Sequence, residues 1–318
     1  MTERITAQIV GNNTIAAIDN DLNNLDNVQQ ELSTGYRINE ASDDPYGASL
    51  TLSLNGEISA YNAYTQNVDQ GTAWVQTQST ALNSIESVTE RIRELTVGGA
   101  NGTMNSTDLA NAAQEVLSYI GQIKSTADTQ YNGSYVFSGT ATDTVPWDSD
   151  ASGSDTYQGN TDTISYTIGP NATQQISANL YGVLGDGVGG AGAFTAGSAG
   201  STGTGGLLAT LRQIYDDMSG TNGGSQSDLS AQLKNLDTNL SALEDLQAQV
   251  GASQDSLSLA STRLTSLTTA ATNQLGDVED VDEAQATVTY STDEAGYEAA
   301  LKSGSEIIQT SLLDFLSS

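Results

Sequence analysis

Glu31–Leu54 reads ELSTGYRINEASDDPYGASLTLSL, and the fold turns on how this stretch is read. An apolar heptad runs into it and stops at Ser33-Thr34-Gly35. A second, longer one starts just beyond Asp43-Asp44-Pro45. Gly35 suits a helix C-terminus, because a residue without a Cβ takes the left-handed conformation there at low cost. Asp44 can accept hydrogen bonds from the free N–H groups of a new helix, and Pro45 fits a first turn where no N–H is needed. The stretch is therefore a joint between two helices, with Gly35, Arg37, Asn39, Asp43, Asp44 and Pro45 as its expected residues.

Before the joint, Ile15, Ile18, Leu22, Leu25, Gln29 and Leu32 follow the alternation of a coiled-coil seam. The opposite face is expected to carry Asp19, Asn20, Asp21, Asn23, Asn24 and Asp26. A helix so rich in Asp and Asn is weak alone and needs a partner. After the joint, Leu54, Tyr61, Val68, Val75 and Leu82 fall seven residues apart, with Tyr64, Ile85 and Ile92 on the other seam position. No proline follows Pro45 before Gly98, so a helix of roughly 50 residues, about 75 Å long, is predicted. Gly98-Gly99 and Asn101-Gly102-Thr103 are expected to break it. Ser106-Thr107-Asp108 opens a third helix with Leu109, Ala113, Val116, Leu117, Ile120, Ile123 and Ala127 on its apolar face.

Asn132-Gly133 signals a turn, with Tyr135-Val136-Phe137 predicted as a strand. From Ser138 to Gly206 the chain turns to Thr, Ser, Gly and Asp and reads as β. Ile164–Ile168 alternates, Gly169-Pro170-Asn171 turns, and Gln175–Tyr181 is the next expected strand. Gly185–Gly206 reads as a Gly-rich loop. Helical pattern returns at Leu207, Leu208, Leu211, Ile214 and Tyr215. After a break at Gly220–Gly224 it continues through Leu236, Leu243, Leu246, Val250, Leu257, Ala260, Leu264, Leu267 and Ala271. The last segment carries Val281, Ala284, Val288, Leu301, Ile308, Leu312, Leu313, Phe315 and Leu316. The predicted fold is mainly α: a long antiparallel helical bundle or coiled coil with paired terminal helices and a small β-rich insert. The expected parts are a terminal helix at 1–40, the bundle at 41–137 and 207–275, the insert at 138–206 and a terminal helix at 276–318.

Composition narrows the function. Of 318 residues only 37% are hydrophobic and 6% aromatic, which suits thin helical seams more than a large core. The formal net charge of −30 repels phosphate, so nucleic acid and anionic membrane surfaces are poor partners. There is no Cys and no His, which excludes disulfides, thiolate catalysis, Ser-His-Asp triads and His-metal sites. Paired carboxylates are the remaining catalytic option, and no pattern sets two of them in a cleft; no enzyme is expected. No stretch reaches the length of an apolar membrane span, and MTERITAQIVGNN does not read as a cleavable signal peptide.

Leu32-Ser33-Thr34-Gly35, Arg37-Ile38-Asn39 and Ser42-Asp43-Asp44-Pro45 with Gly47-Ala48 resemble the N-terminal signature of the bacterial flagellin family. The form with Asp-Asp-Pro is similar to the family's hook-associated branch; filament flagellins usually have Ala in place of Pro45. Arg91, Arg93-Glu94-Leu95, Ala100-Asn101-Gly102-Thr103 and Asp108 match the family further on. Gly133, Tyr135 and Phe137-Ser138-Gly139, then Tyr157-Gln158-Gly159-Asn160, are similar to the hook-associated β region. Val250-Gly251, Arg263-Leu264, Glu279-Asp280-Val281-Asp282 and the ending Ser311–Leu316 fit the same branch.

The resemblance implies a structural part of the flagellum at the hook–filament junction, exported by a type III route and located outside the cell. It implies no cofactor, a homo-oligomeric ring, hook-associated protein 1 and flagellin as axial neighbours, and an export chaperone on the C-terminal helix. The terminal seams, Ile15, Ile18, Leu22, Leu25 and Leu32 with Val281, Val288, Leu301, Ile308, Leu312, Leu313, Phe315 and Leu316, become expected subunit contacts. A filament flagellin and a cell-surface binding module whose insert holds a ligand stay open as alternatives. Asp43-Asp44-Pro45 and the run Glu279, Asp280, Asp282 and Glu283 could suggest a cation; helix capping and a solvated acidic face explain them better. Arg91, Arg93 and Glu94 read as helix-surface pairing, for instance Glu90 with Arg93. Terminal helices that await partners should be poorly protected in the monomer. Hydrogen exchange should find the amides of both ends exchanging fast; full protection would refute this.

Overall fold

The computed structural model describes residues 2–147, 155–185, 206–220 and 226–316, with side chains for 9, 11–147, 155–185, 206–220 and 227–305. Among these residues the order is α1 (Thr2–Thr34), α2 (Pro45–Ala100), α3 (Ser106–Ala127), β1 (Gln130–Tyr131), β2 (Ser134–Tyr135), β3 (Ser165–Gly169), β4 (Ala172–Gln175), α4 (Tyr181–Leu184), α5 (Leu207–Ser219), α6 (Gln226–Glu279) and α7 (Glu283–Leu316). The chain divides into two compact units. Residues 1–60 and 266–318 form the first, and 61–265 the second.

The second unit follows the heptads. From α2, Val68, Val75, Leu82, Ile85 and Ile92 are buried; from α6, Leu236, Leu243, Val250, Leu257 and Leu264 are buried at intervals of seven. Polar cross-links set the two helices antiparallel: Arg93 to Asp237 at 2.6 Å, Gln247 to Glu86 at 2.7 Å and Gln254 to Gln76 at 3.0 Å. The amphipathic α3 adds Ala113, Val116, Ile120, Ile123 and Ala127 to the same core, and α5 adds Leu207, Leu208, Leu211 and Ile214.

Several local readings are corrected. Gly98 and Gly99 do not break α2, which runs to Ala100. Their missing side chains admit neighbours instead: a Cβ on Gly98 would lie 2.8 Å from Met104, and one on Gly99 would lie 3.1 Å from Leu229 and 3.2 Å from Leu109. The cap of α3 is Asn105, one residue before the expected start; its side chain accepts from the Thr107 and Asp108 N–H groups. The Asn132-Gly133 turn is present, with both residues at positive φ (49° and 80°), as a tight hairpin turn requires. Its strands are only two residues each. Val136 and Phe137 leave the ladder and are buried in the helical core. The second hairpin pairs β3 with β4, so the strand expected at Gln175–Tyr181 lies earlier, at Ala172–Gln175. The chain then enters α4, where Val183 and Leu184 are buried, as is Leu180 just before it. Of the Gly-rich loop, 186–205 lies outside the described residues, as does 221–224 of the expected Gly220–Gly224 break; Gly185 and Gly206 bring the loop's two ends together.

The insert shares the helical core instead of forming its own. Trp147 is fully buried, donates from Nε1 to the Gly185 carbonyl at 3.1 Å, and packs 4.9 Å from the Tyr157 ring, which stacks on Tyr181 at 4.6 Å. Asp155 anchors the segment beneath. It accepts from Lys124 of α3 at 2.9 Å and from Arg212 of α5 at 2.8 and 3.0 Å. The Lys124 and Asp155 side chains are 3% and 1% exposed. Burial alone would raise the Asp155 carboxyl; the hydrogen bonds and charges of Arg212 and Lys124 outweigh it and hold the group below its ordinary value of 3.8.

Asp155→Asn leaves Lys124 buried without its counter-charge, which costs about 3–5 kcal/mol. A carboxyl whose pKa is lowered by folding stabilises above its unfolded value and loses that contribution as pH falls through the folded one. Denaturant titrations should therefore show the wild-type advantage over Asp155→Asn at pH 7 and its shrinkage as the pH is taken below 3.8.

Candidate functional site

The joint is capped as its sequence demands. Gly35 sits at φ 79° and its N–H returns to Glu31 O, closing α1. Asp44 Oδ1 accepts from Gly47 N–H at 2.9 Å at the start of α2. That bond, then the Arg37 guanidinium, holds the Asp44 carboxyl below its ordinary range against the upward push of partial burial. Asp43 Oδ2 accepts from the Asn39 and Glu40 N–H groups at 3.0 and 2.8 Å, and Asn39 Nδ2 donates to Tyr36 O at 2.9 Å. Gly47 has no room for a side chain: a Cβ there would fall on Ile38 and Asp44. Both carboxylates thus serve the backbone. Among the described residues no three His, Cys, Asp or Glu side chains are placed to hold a metal ion.

The joint has a second strand of chain beside it. Arg37 N–H donates to Glu279 O at 2.7 Å, and Val281 N–H donates to Gly35 O at 3.0 Å, making an antiparallel bridge between Tyr36 and Asp280. Arg37 Nη2 adds a bond to Val278 O at 2.8 Å. Thus the link from α1 to α2 is stitched to the link from α6 to α7. Asp282 then caps α7, accepting from Ala284 and Gln285 N–H at 3.0 and 3.1 Å. The exposed Arg37–Asp44 ion pair at 3.4 Å contributes little by itself. A polar hollow of about 450 Å³ lies between the last turns of α1 and the joint, lined by Asn27, Gln30 and Glu31 on one side and Arg37, Asn39, Glu40 and Asp43 on the other.

From the stitch, α1 and α7 run antiparallel, and Gly304 of α7 lies against Thr14 and Ile18. The inward residues of α1 are Gly11, Thr14, Ile18, Asp21, Leu25, Val28 and Leu32. Those of α7 are Ala286, Tyr290, Asp293, Tyr297, Ala300 and Gly304. Both sets keep strict heptad spacing. Of the residues singled out from sequence, Ile18, Leu25, Leu32 and Val281 are half-buried here. Ile15 (53% exposed), Leu22 (40%), Val288 (62%) and Leu301 (44%) lie open. The side chains of Ile308, Leu312, Leu313, Phe315 and Leu316 lie outside the described residues. Asp21, expected on the outer face, instead takes a seam position. Sequence reasoning missed Thr14 and Val28 because Ile15, Leu22 and Gln29, one residue further on, carry an equally regular heptad; Gly304 has no side chain to signal a seam.

Two further motifs meet in space. Tyr157 Oη donates to the carbonyls of Phe137 and Asn160 at 2.9 and 2.8 Å, Asn160 N–H donates to Ser138 O, and Asn160 Oδ1 accepts from Thr140 N–H. The segments 137–139 and 157–160 therefore clasp each other, and burial raises the Tyr157 phenol. Arg91 pairs with Glu94 at 2.7 Å and Glu115 at 3.7 Å. Arg93 bonds to Asp237 of α6, and the charge of the expected Glu90 is a lesser influence on it. Among the described residues no helix is long and apolar enough to cross a membrane. What these arrangements do is hold helices in register.

Comparisons with known proteins agree with that picture. The model of the bacterial flagellin N-terminal helical region matches residues 5–142, and that of the C-terminal helical region matches 233–316. The chain is 28% identical over 263 residues to the flagellin of Bacillus subtilis, covering 80% of this chain and 79% of that one. Of several further flagellins it matches, it spans between 26% and 40%. In structure it is similar to a putative flagellar hook-associated protein from Vibrio parahaemolyticus (TM-score 0.64, 22% identity, 75% of this chain and 100% of that chain). It is also similar to flagellar hook associated protein-3 from Legionella pneumophila (TM-score 0.58, 14% identity, 71% and 98%). With both helical regions matched on either side of the insert, this chain belongs to the bacterial flagellin family and is a structural component of the flagellum.

Proposed function

We propose that this chain is a junction adaptor that joins the hook to the flagellin filament, the part played by hook-associated protein 3. The observation that carries the reading is the terminal helix pair. Its two helices cover each other with Ile18, Leu25, Val28, Leu32, Tyr290 and Tyr297 among small and polar residues, while leaving Ile15, Leu22, Val288 and Leu301 in water. Ile15 and Leu22 recur seven residues apart on one face of α1, the spacing with which one helix meets another. Asp43-Asp44-Pro45 and the clasp of 137–139 with 157–160 support the junction branch over the filament one, as does the fold shared with hook-associated structures.

In this reading the terminal segments 1–40 and 276–318 stack into an axial tube. The bundle at 41–137 and 207–275 contacts lateral neighbours, and 138–206 faces outward. Subunits form a ring between hook-associated protein 1 and flagellin, after export with a cytosolic chaperone on the C-terminal helix. The mechanism is geometric, and no bond is made or broken. A filament-forming flagellin is the second reading, favoured by the similarity to the Bacillus subtilis flagellin across 79% of its length.

Deletion of the gene separates the two. Intact hooks in electron micrographs, no filaments and flagellin lost to the medium are expected for an adaptor; absence of any flagellin monomer would mean that this chain is the filament subunit. Complementation with Arg37→Ala tests the joint. It removes the bonds to Val278 O and Asp44 but not the two backbone bonds, so partial motility is expected, with full motility showing the guanidinium to be dispensable.

A further inference from the structure

A hollow of about 300 Å³ opens inside the second unit, between the middle of α2, the chain leaving β4 and the middle of α6. Val75, Ile176, Leu246 and Val250 give it apolar walls and are buried. Gln78 of α2 also lines it and is fully buried. Its Nε2 donates to Val136 O at 2.8 Å, which fixes the orientation of the amide, and among the described residues its Oε1 has no hydrogen-bond partner. A buried acceptor without a donor is costly, and native folds keep few of them. The rim carries further amides and hydroxyls; Gln249, exposed on it, makes no side-chain hydrogen bond among the described residues.

Among the described residues no Asp, Glu, Lys or Arg lines the hollow. An ionised ligand would give up its hydration there for uncharged walls. A purely apolar one would leave Gln78 Oε1 as it is. An added β-strand fits poorly too, because the Gln175 and Ser177 carbonyls already accept from the Gln174 and Gln175 side chains at 3.0 and 3.1 Å. Gln174 is itself held, accepting from Ser256 of α6 at 2.7 Å, so this wall is set before any ligand arrives. What remains is an uncharged molecule with O–H donors on one side and a C–H face on the other. The volume lies at the small end of the range for small-molecule sites and equals that of about ten waters at about 30 Å³ each. A pyranose ring with its hydroxyls is of that scale.

We propose that this hollow is a binding site for a neutral monosaccharide. One sugar hydroxyl donates to Gln78 Oε1, the Gln249 amide meets a second, and the C–H face of the ring lies on Val75, Ile176, Leu246 and Val250. No bond is made or broken. The sugar sits where α2, α6 and the insert meet, so its binding stabilises the folded second unit. The site stands on that unit alone and does not depend on the junction reading.

The test uses the purified full-length chain, with glucose, galactose and N-acetylglucosamine as probes and glucuronate and cyclohexanol as charged and apolar comparisons. Saturation-transfer NMR and titration calorimetry read the binding. Three variants are run beside the wild type, with circular dichroism to check their helices. Gln78→Met removes the buried acceptor, and Gln249→Ala removes the rim amide. Ala252→Phe, at an exposed position of the rim, narrows the entrance without entering the core. At least one of the three neutral sugars is expected to bind, more tightly than glucuronate or cyclohexanol. Gln78→Met should weaken it about fivefold to tenfold and Gln249→Ala about threefold, the range that one net hydrogen bond spans. Ala252→Phe should weaken it by about tenfold or more, because the ring and the phenyl group compete for one small volume.

Binding of none of the three sugars overturns the proposal and leaves the hollow to water. Glucuronate bound as tightly as the neutral sugars also overturns it, since uncharged walls must reject a carboxylate. Cyclohexanol bound more tightly than any sugar, and unaffected by Gln78→Met, overturns it in favour of a plain apolar cavity. Where Gln78→Met does not fold, Ala252→Phe decides: a sugar held as well by that variant as by the wild type is bound elsewhere, and the proposal falls.

Discussion

An apolar residue at every seventh position of a long helix has to be covered, and this requirement organises the second unit. Leu236, Leu243, Val250, Leu257 and Leu264 put one buried group per two turns on α6. Val68, Val75, Leu82, Ile85 and Ile92 do so on α2. Neither helix can hide such a stripe alone, and in antiparallel contact each hides the other's. The amphipathic α3 and α5 then close the sides that remain. Once that core exists, the insert needs no core of its own. It lends Trp147, Ile176 and Leu184 to the helical one and is pinned there by Asp155 between Lys124 and Arg212.

The terminal pair obeys the same period with much poorer material. Its seam uses Gly11, Thr14, Asp21, Ala286, Asp293, Ala300 and Gly304 beside Ile18, Leu25, Val28, Leu32, Tyr290 and Tyr297. Apolar burial is worth roughly 25 cal/mol per Å², so small and polar seam residues contribute little. The close approach at Gly304, where even a Cβ would lie 3.3 Å from Ile18 and Thr14, shows that the contact is fitted all the same. A seam can therefore be specific in geometry and weak in energy. That combination suits a helix pair completed by other molecules.

Much of this was legible in the sequence. The heptads of α2 and α6 could be read because large apolar residues occupy nearly every seam position. The joint could be read because capping is local: Gly35, Asp44 and Pro45 each act within a few residues of themselves. What was not legible is long-range or depends on close packing. Nothing near Arg37 announces a partner 241 positions away at Val278. Lys124 sits on an apolar helix face with no local sign of Asp155 and Arg212. Gly98 and Gly99 look like breakers until Met104 and Leu229 are seen filling the space beside them. Val136 and Phe137 have strand-forming side chains, yet the core takes them and the ladder ends. On α1 two heptads one residue apart were both available, and counting apolar bulk favours Ile15 and Leu22 over Thr14 and Asp21.

The two backbone bonds at the joint gain their importance from that last ambiguity. The small positions of this seam discriminate weakly between registers, because sliding them by a turn exchanges one small residue for another, and the choice falls to Ile18, Leu25, Val28, Leu32, Tyr290, Tyr297 and the joint. Arg37 N–H to Glu279 O and Val281 N–H to Gly35 O fix the start of the pairing to the residue, and they hold whatever the neighbouring side chains are. Gly35 at positive φ and the cap at Asp44 set the direction in which the chain leaves each helix. The joint therefore decides which face of α1 meets α7, and so which face, with Ile15, Asp19, Leu22 and Asp26, is left for another molecule. In this pair the link between helices sets the register together with the larger seam residues, and it is the same stretch whose local signals were clearest in the sequence.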